Sequence, residues 1–447
     1  MDQERMENRF ITNFSQIATD KRRKAALGYL SRAMHDLDPV VVIKRYRSQI
    51  LSSLGSDGKV TVFGFGKAAV KMCSGIQSIL GDRISAGAII IPEDDAATVD
   101  LDNVEILRGT HPYVTALSEA SSRRLVDMAE HSPDEHIIFL VSGGGSAIFE
   151  IPAEPFNIEQ ISEVGKCMMN NGADINELNC VRFAMSEVKG GKLAAKLKGR
   201  KILALYVSDV PYDDLSYIAS GPLISGPESC DPMSVITKTG CSGVLGDAVK
   251  LSYQPPAPAA DLSNMLILRN YDFVSMISGM LRSEREEVVD LGSNMSGDVV
   301  DFVQQLVAIV RSMGAIRNRG FGLVGGGETT VRVHGKGKGG RSQAAALHFL
   351  LNMKDEEDFL FLAAGTDGID GQSPAMGAIV DSETKSIVSA ERIREYLKND
   401  DSYTLLSTIG STILTGRTGN NVSDIFFGYY LRFLQLHIST ILDSEER

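Results

Sequence analysis

Tryptophan is absent from this chain of 447 residues, and cysteine, histidine and proline are scarce at five, seven and 14. The cysteines, Cys73, Cys167, Cys180, Cys230 and Cys241, are odd in number and widely spaced, and none forms a CxxC pair. That pattern predicts a reduced cytoplasmic chain with neither a disulfide framework nor a zinc–thiolate site. The histidines show no HxH or HExxH spacing, which argues against a histidine-ligated metal. No run of about 18 uncharged apolar residues occurs. The charged start, MDQERMENRF, lacks the apolar core of a signal peptide. A soluble protein with no membrane partner is expected. Positive charge is also in deficit: 45 Lys and Arg stand against 57 Asp and Glu, for a net charge of −12. This argues against a nucleic-acid partner held by overall charge, yet leaves room for a local basic pocket for a small anion. HRD, DFG, GxSxG and GxxxxGK[ST] are all missing, so protein-kinase, α/β-hydrolase and Walker-type sites are not indicated.

What is present is ordinary globular material, 43% apolar and 23% charged, enough for two or three domains with large cores. Residues 1–54 carry apolar positions at helical spacing. From Lys59 the rhythm changes to short β-rich runs that end in glycine and lead into helical patterns. They are KVTVFGFGK (59–67), AGAIIIPE (86–93), EHIIFLVSGGG (135–145) and KILALYVSD (201–209). Strands and helices in alternation predict a parallel sheet covered on both faces. The proline-rich stretch YQPPAPAAD (253–261) reads as a linker. After it come a helix-rich stretch (271–313) and a second α/β rhythm. The expectation is an α/β protein with a large Rossmann-like parallel-sheet domain, 1–262, and a smaller α/β domain, 263–421. The apolar segment from Val422 reads as a buried terminal helix (422–447) that can pack back onto the first domain.

Glycine after a strand and before a helix lets the backbone approach an anion, and the helix start supplies N–H donors. The first such elbow, Gly64-Phe65-Gly66-Lys67-Ala68-Ala69, fits GxGxxA, and the acids Glu93 and Asp94 follow about 25 residues later, where a ribose-binding acid would sit. Lys67 in the first helical turn is opposed by the helix dipole unless an anion is bound, so it reads as a phosphate- or carboxylate-contacting lysine or as a solvated one. The second elbow, Ser142-Gly143-Gly144-Gly145-Ser146, is a nest of donors and hydroxyls suited to an anion. Asp209 ends a strand and suits either Mg²⁺ ligation or acceptance of a hydroxyl proton. Asp213 and Asp214 read as caps of a helix starting near Leu215. The fourth elbow, Gly325-Gly326-Gly327-Glu328, precedes the loop GKGKGGRSQ (335–343), whose Arg341 suits transition-state charge while Lys336 and Lys338 read as mobile, solvated charge. Asp367 and Asp370 in GTDGIDG (365–371) read either as Mg²⁺ ligands or as a glycine turn with Asx-type hydrogen bonds. His111 reads as structural, and TGRTGNN (415–421) as a loop and helix cap.

Anion elbows, acids and loop cations without a redox or zinc motif point to phosphoryl transfer, which depends on positioning and charge neutralisation. The motifs GFGKAA, SGGGSA, VSDVPYDDLSYIASGP, GGGETTVRVHGKGKGGRSQ, TDGIDG and TGRTGNNVSD, in that order, resemble the class II glycerate kinases, the glycerate 2-kinase group. The resemblance covers about residues 60–430. It implies an active site in an interdomain cleft, with ATP as donor, D-glycerate as acceptor and Mg²⁺ as cofactor. Residue by residue, it implies that Lys67 and Arg341 are catalytic cations and that Asp209 serves catalysis or the metal. Gly66, Ser142 to Ser146, Glu328 and Asp367 are the implied contacts to substrate or phosphate. Phe65, Tyr212, Arg417 and Asn420 depart from the family's more usual alanine, glycine, proline and threonine, which puts the shape of the acceptor pocket in doubt. A homodimer is compatible with this reading. Two rivals remain: a nicotinamide-dependent hydroxypyruvate reductase, favoured by GxGxxA with Glu93 and Asp94, and a non-catalytic metabolite sensor.

Overall fold

The computed structural model describes residues 10–431 apart from 56, 96–100, 246–249, 258–260, 285–286 and 317–319. The described residues form two compact units. One lies within Asp38–Arg269 and Gly419–Val422, the other within Met1–Leu37, Asn270–Thr418 and Ser423–Arg447.

The first unit is built on six strands: β1 (Val60–Phe65), β2 (Ile84–Pro92), β3 (Val104–Gly109), β4 (His136–Val141), β5 (Lys201–Val207) and β6 (Leu262–Leu268). Their order is β3-β2-β1-β4-β5-β6 and every pairing is parallel. Every residue of β1 is buried, as a strand covered on both faces must be. Phe63, Phe65, Phe139 and Val141 share a core with Leu125, Val126 and Ala129 of helix Ala116–Glu130. Helix Ala69–Leu80 packs on helix Pro39–Arg45 through a close approach of Gly75 to Ile43. Helices Ile158–Asn170, Ile175–Met185 and Pro232–Lys238 make a second apolar cluster around Val164, Met168, Val181 and Ile236.

That cluster corrects the cysteine reading. Cys167–Cys241 and Cys180–Cys230 are disulfides, and Cys73 is a buried free thiol. The partners lie 74 and 50 residues apart in sequence, and spacing alone does not say which helices meet.

The second unit carries β7 (Val288–Asp290), β8 (Met295–Asp298), β9 (Phe321–Thr330), β10 (Asp358–Gly365), β11 (Gly377–Asp381), β12 (Thr412–Ile413) and β13 (Asp424–Leu431). The order is β12-β11-β10-β13-β9-β7, with β8 also on β9. β7 and β8 run parallel to β9 and the other pairs are antiparallel. Helix Val299–Ile316 is long and apolar enough by composition to cross a membrane. It buries Phe302, Val303, Leu306, Val307 and Val310 in the core of this unit instead.

β13 corrects the expected terminal helix. Residues 424–431 pair on both sides, with β10 and β9, in the middle of the sheet. A strand buried on both faces and a buried helix give the same unbroken apolar run, so periodicity could not separate them. The remainder of the expected helix, 432–447, lies outside the described residues.

The division of the chain also differs from 1–262 and 263–421. Helix Lys21–Asp36 belongs to the mixed-sheet unit because its charges are tied there. Arg22 Nη1 meets Asp358 Oδ1 at 2.6 Å, and buried Arg23 pairs with Asp381 Oδ2 at 2.5 Å and donates to Thr384 Oγ1.

Candidate active site

In an open parallel sheet, ligands bind beyond the carboxyl ends of the strands where the strand order reverses. Here the reversal falls between β1 and β4. Gly66 leaves β1 at φ +115°, and a Cβ on it would lie 2.4 Å from Ser142 Oγ at the end of β4. The two elbows are laced together across this point. Ser142 N donates to Phe65 O at 3.2 Å, Lys67 N to Gly143 O at 3.0 Å, and Ala68 N to Ser142 Oγ at 3.1 Å. In a dinucleotide site the N–H groups of this first turn face the pyrophosphate. In this chain the second elbow consumes those of Lys67 and Ala68. What the first elbow offers a ligand is the Lys67 side chain rather than its backbone.

The glycine loop collects further polar groups. A Cβ on Gly143 would stand 1.8 Å from Asp209 Oδ2 and 2.2 Å from Asn421 Nδ2, and Asn421 Nδ2 donates to Asp209 Oδ2 at 2.9 Å. Gly144 sits at φ +81°, and a Cβ on it would lie 3.2 Å from Lys67 Cγ and 3.3 Å from His111 Cδ2. Ser146 Oγ lies 2.9 Å from Ser220 Oγ. The structure therefore brings Gly66, Lys67, Ser142 to Ser146 and Asp209 together, and adds His111 and Asn421, which the sequence left as structural and as a cap. The signal for Asn421 was its place in TGRTGNNVSD. Among the family departures, Phe65 is buried and stacks on Phe149 at 4.3 Å, so it is a core residue of β1 rather than part of a pocket. Asp213 and Asp214 do not cap a helix at Leu215: Asp214 Oδ1 accepts from Ser216 N at 2.9 Å in a local turn. Tyr212 in the same loop is 81% exposed and adopts φ +62°.

The mixed-sheet unit gathers the other candidates. Gly325, Gly326 and Gly327 lie inside β9, paired with β13, and so form no elbow. Arg341 opens helix Arg341–Asn352. Its Nε and Nη2 reach Asp424 Oδ2 and Oδ1 at 2.6 and 3.1 Å, and its Nη1 donates to Glu328. Burial alone lowers the guanidinium's pKa, but Asp424 and Glu328 more than reverse this and hold it above its ordinary value. Burial raises the Asp424 carboxyl to about 7 against the pull of Arg341. Asp367 lies close by, since a Cβ on Gly365 would be 3.3 Å from Asp424 Oδ1 and 3.5 Å from Asp367 Oδ1. Asp367 Oδ1 accepts from Ile369 N at 3.2 Å, an Asx-type turn.

Two expectations for this stretch are corrected. The start of helix Arg341–Asn352 is occupied by buried Asp370, which accepts from Ser342 N at 3.1 Å and Gln343 N at 2.8 Å. The loop before it is fastened rather than mobile. His334 N and Gly335 N donate to Asp400 Oδ2 at 2.6 Å each, Lys338 N to Asp401 Oδ1 at 2.9 Å, and Tyr403 N to Lys338 O at 2.9 Å. The Lys336 and Lys338 side chains are exposed, as expected.

An all-parallel sheet whose order reversal gathers a lysine, a glycine loop and an aspartate defines an α/β protein with a candidate ligand site at the strand ends. The chain matches a family described as a domain of unknown function (DUF4147) over residues 25–251 and the MOFRL family over residues 321–424. It is 39% identical to the glycerate 2-kinase of Picrophilus torridus, over 94% of this chain and 99% of that one. It is 31% identical to the D-glycerate 2-kinase of Thermotoga maritima, over 91% and 98%. The crystal structure of a glycerate kinase from Thermotoga maritima superposes with a TM-score of 0.78 at 28% identity, covering 91% of this chain and 99% of that one. The chain belongs to the glycerate kinase family.

Proposed function

We propose that this protein is a glycerate 2-kinase, transferring the γ-phosphate of ATP to the 2-hydroxyl of D-glycerate to give 2-phosphoglycerate and ADP. The observation that carries the reading is the convergence of Lys67, the Ser142–Ser146 loop and Asp209 at the reversal between β1 and β4. The Ser142–Ser146 loop receives an anionic group of the substrate, Gly66 leaves room for that loop to pack against the end of β1, and Lys67 neutralises charge beside it. Asp209 orients the acceptor hydroxyl or accepts its proton, with Asn421 fixing the carboxylate. In the mixed-sheet unit Arg341 is a candidate catalytic cation, and Glu328, its more exposed partner, is the one that an incoming phosphate replaces. Asp367 lines the same spot.

Among the described residues no three His, Cys, Asp or Glu side chains converge as a metal cage. Mg²⁺ in phosphoryl transfer needs less, one or two carboxylates together with the nucleotide phosphates. Asp209 beside the bare Cα of Gly143 fits that smaller demand. Bound there, Mg²⁺ would supply charge neutralisation between the phosphates.

The nicotinamide reading loses its support, because the donors that would hold a pyrophosphate at GxGxxA are taken by Gly143 and Ser142. The decisive experiment mixes the protein with D-glycerate, ATP and MgCl₂ and reads the products by ³¹P NMR. A 2-phosphoglycerate signal with stoichiometric ADP is expected. A 3-phosphoglycerate signal overturns the regiochemistry, and ligand-induced thermal stabilisation without turnover favours the sensor.

A further inference from the structure

Beneath the glycine loop lies a buried charge that none of the preceding chemistry uses. Lys189 has no solvent exposure, and its Nζ donates to Gly145 O at 3.1 Å and to Ala219 O at 3.0 Å. The next two residues continue the pattern. Gly190 N donates to Ser220 O at 3.1 Å and Gly191 N to Gly221 O at 2.7 Å. Three successive carbonyls, 219 to 221, are thus taken in order by Lys189-Gly190-Gly191. The segment they belong to is strained: Ala219, Ser220 and Gly221 sit at φ +53°, +61° and +57°, a left-handed run that is unfavourable at each non-glycine residue. It carries Ser220, whose hydroxyl donates to Asn179 Oδ1 at 2.8 Å and leaves Ser146 Oγ to donate to it at 2.9 Å.

Stability alone does not account for this arrangement. A buried ammonium is expensive, and replacing a buried ion pair by apolar groups is often neutral or stabilising. Burial pushes the Lys189 ammonium below its ordinary value, opposed by nearby Glu150, and burial raises the carboxyl of Glu150 in turn. Glu150 is itself fully enclosed and accepts from Ser186 Oγ and Ile151 N. What the lysine does achieve is geometric. It fixes the carbonyl of Gly145, inside the candidate anion loop, to the strained turn that fixes Ser146.

We propose that Lys189 is a positioning residue of the kinase site: through Gly145 O and Ala219 O it holds the Ser142–Ser146 loop and the Ser146–Ser220 hydroxyl pair in the shape that receives the anionic end of D-glycerate. The inference rests on the functional reading above. The test compares Lys189→Met, Lys189→Arg, Ser220→Ala and the double variant Lys189→Met/Ala219→Gly, by steady-state kinetics and thermal melts. Lys189→Met raises the KM for D-glycerate by about ten- to a hundredfold, the scale of one charge-assisted hydrogen bond, with a smaller change in kcat. Lys189→Arg, which keeps the cation, recovers part of that loss. Glycine at 219 relieves the strained turn, so the double variant regains Tm while its KM stays high. Ser220→Ala raises KM several-fold at near-wild-type Tm. A double variant whose KM returns to wild type along with its Tm would make Lys189 a stabiliser of the turn and overturn the proposal. An unchanged KM in Ser220→Ala does the same, and it remains readable if Lys189→Met does not fold. A wild type that makes no phosphoglycerate sinks the kinase reading alone. The positioning role is then read by thermal stabilisation with inorganic phosphate and with D-glycerate. Stabilisation of the wild type but not of the double variant supports it, and equal stabilisation of both, or of neither, overturns it.

Discussion

Two glycine-rich segments, 143–145 and 335–340, look alike as strings, and their glycines are there for different reasons. In the first, a Cβ would meet side chains of the candidate site at two positions, Asp209 and Asn421 at Gly143 and Lys67 and His111 at Gly144, and Ala219 Cβ at Gly145. In the second, it would meet the turn 399–402 at three positions, Asn399 O at 2.2 Å from Gly335, Asp401 Cβ at 2.3 Å from Gly337 and Ser402 Oγ at 2.1 Å from Gly339, and Asp370 Oδ1 at 2.2 Å from Gly340. The first segment is bare so that polar groups can converge beside it. The second is bare so that it can be pressed against its neighbour and held by Asp400 and Asp401. A glycine run after a strand is therefore evidence of close approach, and only its surroundings say whether a ligand or the protein itself makes that approach.

The contrast is broken most directly in the first segment. Gly143→Ala drives a methyl into Asp209 and should lower kcat/KM by about 10²-fold or more, the scale of a displaced preorganised group, with little change in thermal unfolding. Lys67→Ala should lower kcat by a similar factor of about 10². Gly335→Ala should do the reverse. The collision with the Asn399 backbone costs about 1–3 kcal/mol of stability, read as a lower Tm, while kcat stays near wild type. If Gly143→Ala lowers only Tm and Gly335→Ala lowers only kcat, the two segments have been assigned the wrong way round.

A second test concerns the residue that the fixed loop delivers. Burial raises the Asp424 carboxyl to about 7 from 3.8, so the folded protein keeps a proton there that the unfolded chain has released. The stability this contributes is complete below about pH 3.8 and is lost as pH rises to about 7. Relative to Asp424→Asn, the wild type should therefore lose Tm steadily across this window, measured by melts at half-unit steps. A parallel pair of curves would remove Asp424 as the titrating partner of Arg341. Loosening the loop is a smaller perturbation: Asp401→Ala frees Lys338 N and Thr404 Oγ1 and should cost about 1–2 kcal/mol, two hydrogen bonds, visible in denaturant unfolding.

The same distinction explains what the sequence could and could not say. β1, β2, β4 and β5 were legible because central parallel strands are nearly unbroken apolar runs. β3 and β6 were not singled out, since these edge strands are partly exposed and carry weaker apolar runs. β9 was hidden by its own glycines, which lie in a strand because Asn270 crosses Gly326 and the Met295 backbone crosses Gly327. Lys67, Ser142 to Ser146 and Asp209 stood out because each follows the end of a strand. Asn421, 212 residues from Asp209, and Lys189, beneath a loop 44 residues away, act through contacts between distant segments, and no local pattern encodes those.

Tyr212 adds a third reason for glycine, torsion alone. It follows Asp209 in the loop after β5, at a position where the resembling family more usually has glycine, and it adopts φ +62° with its side chain 81% exposed. Its left-handed backbone is a torsional cost that glycine would not carry. Tyr212→Gly should then stabilise the protein by about 1 kcal/mol, because glycine adopts this conformation without the Cβ clash, less the entropy it adds to the unfolded chain. Unfolding in denaturant would show a higher midpoint at unchanged slope. A lower midpoint would mean that the exposed ring is held by contacts worth more than the torsion. The loop beside Asp209 would then belong with the first segment, where side chains decide the backbone, and not with positions that glycine fills for want of any other residue.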